Sequence, residues 1–129
     1  MNVDKTREFI DAYNRRDFAA AVRDFHPRVE WILPALQSSD SCTGPEEIIR
    51  FWESIDDDME ELQLQPQEYR DGGDVVAVRL RHLGKGKGSG IVIDQELFHH
   101  VGTFEDGVMV RIEYFESWDQ ALEAAGLSE

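Results

Sequence analysis

Residues 90–117 read GIVIDQELFHHVGTFEDGVMVRIEYFES, and the rest of the chain is organised around them. Two runs rich in β-branched and aromatic side chains, Ile91 to Phe104 and Val108 to Phe115, flank Glu105-Asp106-Gly107. Asp-Gly between such runs is a strong hairpin signal, so the stretch is expected to be the long central hairpin of a sheet. Side chains alternate faces along a strand, which puts Asp94, Glu96, Phe98, His100 and Gly102 on one side of the first arm. Ile93, Gln95, Leu97, His99 and Val101 take the other. Acids, an aromatic ring and a histidine on one face of a strand that crosses a domain make a pocket lining, and a solvated strand face has a similar composition.

Working outward, Val75 to Leu83 (VVAVRLRHL) alternates in the same way, with Val76, Val78, Leu80 and His82 toward a core and Arg79 and Arg81 away from it. Leu62 to Arg70 precedes it as a strand, turned by Gly72-Gly73, and the glycine-rich run from Gly84 to Gly90 follows as a hairpin loop. That run lacks the GxxxxGK[ST] order and leads into a strand, so it is not read as a phosphate cradle. Near the start, Phe9, Ile10 and Tyr13 form one helical stripe, and Phe18, Ala21, Val22 and Phe25 form another, capped by Asp17 and ended by His26-Pro27. Val29 to Leu33 is a short strand, and Pro34 to Thr43 a polar loop. Gly44-Pro45-Glu46-Glu47 opens a third helix, whose core stripe runs Ile48, Trp52, Ile55, Met59, Leu62. The acids Asp56, Asp57, Asp58, Glu60 and Glu61 read as a solvated face, because the glycine and terminal glutamate of a calcium loop are missing. Ser117 and Gln120 cap a last helix from Trp118 to Ala125, closed by Gly126. Helices segregated before consecutive strands give an α+β class with an antiparallel sheet.

A chain of 129 residues that is 41% hydrophobic is the size of one domain, here residues 1–129. A formal charge of −14 argues against nucleic acid, whose affinity rests on Lys and Arg neutralising phosphates, and against anionic membrane surfaces. The single cysteine, Cys42, cannot form an internal disulfide, and no apolar run reaches the length of a membrane span. The chain opens without a basic then apolar signal segment, so a cytoplasmic protein is the expectation.

Taken together, Phe9-Ile10-Asp11-Ala12-Tyr13-Asn14, His26-Pro27-Arg28-Val29-Glu30-Trp31, Gly44-Pro45-Glu46-Glu47-Ile48, His100 to Gly107, Val110-Arg111-Ile112 and the tail Ala121 to Leu127 resemble the nuclear-transport-factor-2-like superfamily, in its SnoaL-like, polyketide-cyclase-related branch. The resemblance covers nearly the whole chain. It implies a cystatin-like, cone-shaped curved sheet whose concave face is covered by the N-terminal helices and encloses an apolar pocket, and a homodimer through the sheet's outer face. The superfamily hosts isomerases, dehydratases, epoxide hydrolases, cyclases and binders, so the fold does not settle the reaction. The base aspartate of its steroid isomerases falls on Trp31, their tyrosine donor on Phe9 and their second acid on His100. The Arg-x-Asp pair of its limonene-epoxide hydrolases falls on Val76 and Val78, and their second aspartate on Tyr114. Both chemistries are therefore excluded by residue pattern.

The expected pocket face holds Tyr13, Trp31, His82, Phe98 and Ile112 as substrate contacts and His100, Glu96 and Tyr114 as the groups able to move a proton, with Val76, Val78, Leu80 and Val110 among the walls. An imidazole gives or takes a proton near neutral pH, and Glu96 two residues back is placed to hold its second nitrogen. The competing reading makes His100 a hydrogen-bonded core histidine that orients Tyr114. His99 faces away from His100, so the pair is not a metal site. No cofactor and no metal are expected, and the partner is a small apolar or cyclic molecule, bound either for isomerase- or cyclase-type proton transfer or without catalysis.

Overall fold

The apolar stripe of the first segment folds as α1 (Asn2–Asn14), burying Thr6, Phe9, Ile10, Ala12 and Tyr13. The computed structural model describes residues 2–32 and 41–127. The first helix ends where Arg16 takes a left-handed backbone (φ 65°), and Asn14 is tied to the sheet by two hydrogen bonds of 2.9 Å: its amide donates to the Leu64 carbonyl and its oxygen accepts from the Leu64 N–H. The second helix, α2, is a single turn (Phe18–Ala21) capped by Asp17, shorter than the apolar spacing predicts. Phe25, His26 and Pro27 belong instead to β1 (Phe25–Ile32), an edge-proximal position that tolerates the missing proline N–H. Leu33 and the loop from Pro34 to Asp40 lie outside the described residues; Cys42–Thr43 form the short β2.

The third helix, α3 (Pro45–Asp58), begins with proline in its first turn and ends one turn before the apolar periodicity does. Met59 and Leu62 lie in β3 (Met59–Asp71), not on the helix. Three aspartates at the negative end of the helix dipole oppose its continuation, and the extended Met59 donates its N–H to the Ile55 carbonyl to close it. The remaining elements are β4 (Val75–Gly86), β5 (Val92–Gln95), β6 (His99–Glu105), β7 (Val108–Phe115) and α4 (Trp118–Ala124).

Among the described residues seven strands form one open sheet in the order β2-β1-β7-β6-β4-β3, with β5 paired to β4. The fold is α+β with a curved, unclosed sheet. The sheet is mixed: β1 runs parallel to β7, and the other pairings are antiparallel. Helices α1 and α3 pack on one face, over Val76, Val78, Leu80, Phe104, Met109 and Ile112. Helix α4 packs on the other, where Ala121 and Leu122 meet Ala77 and Val101. Among the described residues no helix is long and apolar enough to cross a membrane.

Two irregularities decide which side chains face the inner layer. The expected single strand from Ile91 to Phe104 is broken at Glu96-Leu97-Phe98. Val78 pairs with His100 and His82 with Gln95, so three residues of β4 oppose four of the facing chain. One extra residue inverts the alternation beyond it. In β7 the register shifts between Thr103↔Arg111 and Phe104↔Met109, so Val110 is the extra residue there. Met109 is buried in the core in place of the expected wall residue Val110.

Candidate functional site

Between the helices and the inner sheet face lies a cavity of about 230 Å³. Its walls come from α1 (Phe9, Tyr13), β1 (Trp31), α3 (Phe51, Trp52, Ile55), β3 (Leu62, Leu64), β4 (His82), the strand break (Leu97, Phe98) and β7 (Tyr114). The rings meet at steep angles: Trp31 lies 4.8 Å from Tyr114, 5.5 Å from Trp52 and 6.3 Å from Phe51, at 43°, 77° and 56° between planes. Edge-to-face and tilted packing is what aromatic quadrupoles favour, and here it leaves a hollow bounded by rings rather than a filled stack.

Of the residues expected at the site, Tyr13, Trp31, His82, Phe98 and Tyr114 line this cavity. Ile112 does not; it is fully buried in the core beneath it, opposite Trp31 in the β1–β7 pairing. His100 is also fully buried and does not reach the cavity surface. Its Nδ1 lies 3.3 Å from the Tyr114 hydroxyl, its ring sits edge-on to Tyr114 at 89° and 5.6 Å from the Phe9 ring, and its Nε2 has no hydrogen-bond partner among the described residues. Tyr114 thus stands between the histidine and the cavity. Burial with no charged neighbour pushes the His100 pKa down to about 3, so the imidazole is neutral. Burial also pushes the Tyr114 phenol well above its ordinary value, and the nearby Tyr13 phenol adds to that. Tyr13 is itself raised to about 12 by burial, which outweighs the Arg16 guanidinium beside it. Both phenols are hydrogen-bond donors at any physiological pH.

Glu96 is not the partner of His100. The extra residue in the strand break turns it to the outer face, where Oε1 accepts from Arg79 Nε at 3.0 Å and lies 3.5 Å from His99 Nε2. Asp94, expected on the same face as His100, likewise turns outward to Arg81. His99 accepts the Leu80 N–H on Nδ1, which leaves its proton on Nε2 toward Glu96. His82 accepts the Leu97 N–H on Nδ1 at 3.3 Å, pinning the broken segment to β4. Burial first, then the neighbouring His99, pull the His82 pKa down to about 4. Among the described residues no wall residue is Asp, Glu, Lys or Arg.

Seven wall residues, Phe9, Phe51, Trp52, Ile55, Leu62, Leu64 and Leu97, were not among the expected contacts. The stripe of Ile48, Trp52 and Ile55 reads as helix core, and its one available signal is width: Phe51 beside Trp52 broadens the apolar arc beyond what a single packing seam needs.

Comparison with curated proteins returns no relative. Among solved structures, TerC co-crystallised with polyporic acid is similar over 95% of this chain and 98% of its own, at 22% identity and a TM-score of 0.79. A Catenulispora acidiphila protein with a ketosteroid isomerase-like fold, in complex with trimethylamine, is similar over 95% of this chain and 92% of its own, at 16% identity and a TM-score of 0.77. A Sinorhizobium meliloti protein described as a polyketide cyclase is similar over 87% of this chain and 94% of its own, at 22% identity and a TM-score of 0.68. These likenesses carry the fold, and the sequence carries the family: residues 6–112 match the SnoaL-like domain, and the chain belongs to that family.

Proposed function

We propose that this protein binds a cyclic, largely apolar small molecule in the ring-lined cavity, with the Tyr114 hydroxyl as its polar contact and His100 as the group that orients that hydroxyl from behind. The observation that carries the reading is the cavity itself, set between helix and sheet layers and lined, among the described residues, without a charged side chain. If the ligand carries a carbonyl, the same hydroxyl donates to it and polarises it while His100 Nδ1–H donates to the phenol oxygen from behind, which is the electrophilic half of isomerase or cyclase chemistry. The Tyr114–His100 pair favours this second reading. A wall whose described residues include no carboxylate, together with the neutrality of His100, favours binding as the primary one. A homodimer through the outer sheet face belongs to the same proposal, with the row of Arg79–Glu96 and Arg81–Asp94 beside α4 as its surface.

The test is a thermal-shift screen of wild type and Ile55→Trp against aromatic polyketides, steroids, terpenoid epoxides and small cyclic acids. A ligand that binds the folded state raises the melting temperature by mass action. Ile55 lines the cavity and is only half-buried, so tryptophan there fills the hollow while the fold survives. A compound that stabilises wild type and not Ile55→Trp supports the proposal; equal shifts in both proteins refute it.

A further inference from the structure

The walls also decide which sign of charge the ligand carries. Seven of the twelve described wall residues are aromatic and none of the twelve is a cation or an anion. Phe51, Trp52 and Tyr114 each meet the Trp31 ring at 43° to 77°, so rings border the hollow from α3, β1 and β7 and not from one element alone. Each ring presents a negative face. An anion placed there meets no cation among the described wall residues. A weakly hydrated organic cation is attracted to the ring faces, by about 2 kcal/mol or more once water is excluded.

The surroundings act in the same direction. The chain carries a net charge of −14, and such a field raises the local concentration of cations. Asp57, Asp58 and Glu60, exposed in the chain between wall residues Ile55 and Leu62, add to that negative field. Arg16 lies over the ring of wall residue Tyr13 at 5.1 Å. Its charge is matched by Asp56 at 3.0 Å, and its other nitrogens donate to the Tyr13 and Leu62 carbonyls. Arg79 and Arg81 are turned to the opposite face of the sheet. His82, on the wall, is neutral at physiological pH.

We infer that the cavity takes an organic cation, a tertiary or quaternary ammonium carried on an apolar or aromatic body. This rests on the reading of the cavity as the ligand site and adds the charge that reading leaves open.

The test uses two probes of one shape: phenyltrimethylammonium and its uncharged isostere tert-butylbenzene, titrated into the full chain at pH 7.5 and low salt with tryptophan fluorescence as the readout. The cation is expected to bind about ten-fold more tightly than the isostere. In Phe51→Leu, which keeps an apolar side chain on α3 and removes one ring, the cation loses several-fold in affinity and the isostere little. Equal or tighter binding of tert-butylbenzene overturns the inference and leaves the apolar cavity reading standing. Failure of both probes to bind overturns the cavity reading and the inference together.

Discussion

Nε2 of His100 sits over Gly102 so closely that a Cβ on that glycine would lie 2.8 Å from it. The two residues share the inner face of β6 two positions apart, and the missing side chain is what admits the imidazole. Gly102→Ala is therefore expected to force the buried ring aside and lower stability by about 1–3 kcal/mol, the usual range for overpacking. His100→Ala should relieve that clash. The double variant is then less destabilised than the sum of the single ones, which urea denaturation of all four proteins measures. Strict additivity would mean the ring has room to move.

Tyr114→Phe removes the only described partner of the His100 imidazole and leaves both ring nitrogens without one. The expected loss is about 1–3 kcal/mol, the penalty of a buried polar group left unsatisfied. Under the proposed function the variant also binds carbonyl ligands more weakly than wild type while its affinity for hydrocarbons of the same shape is unchanged. Calorimetric titration with such a pair separates the two effects.

Stability depends on pH through the buried histidines. Their folded pKa values, about 4 for His82 and about 3 for His100, lie below the ordinary 6.5. As pH falls below about 6.5 the unfolded chain takes up protons that the folded chain refuses, so stability drops with pH until the folded values are reached. Each such histidine contributes a slope of about 1.4 kcal/mol per pH unit within its window. His82→Gln should flatten the curve between about pH 4.5 and 6 by that amount in denaturation experiments. An unchanged slope would place the His82 titration near its ordinary value.

Glu96→Gln tests the outward turn of the strand break directly. The carboxylate meets Arg79 and His99 on the outer face, away from the cavity. Ligand affinity should stay within about two-fold of wild type, and stability should fall by no more than about 1 kcal/mol, because the ion pair is partly exposed. A large loss of binding would return Glu96 to the site.

Much of this architecture is legible in residue order because its causes are local. Alternation in Val75 to Leu83 placed Val76, Val78, Leu80 and His82 on the inner side, and Asp-Gly placed the β6–β7 turn, because strand period and turn chemistry act over a few residues. The extent of the third helix was less legible: the apolar spacing through Met59 and Leu62 continues, and what stops the helix is the pairing of those residues into β3 against β4. Which side chains share the cavity is settled by strand pairing and not by local sequence. Nothing in Asp94 to His100 marks an extra residue, since a bulge arises from matching two strands and not from either alone. That single residue sends Glu96 to the outer face, brings Leu97 and Phe98 together at the wall and leaves His100 behind Tyr114. Residue order carries the succession of helices and strands; the register between β4 and its neighbours sets the site, because one residue of slip exchanges the two faces of a strand.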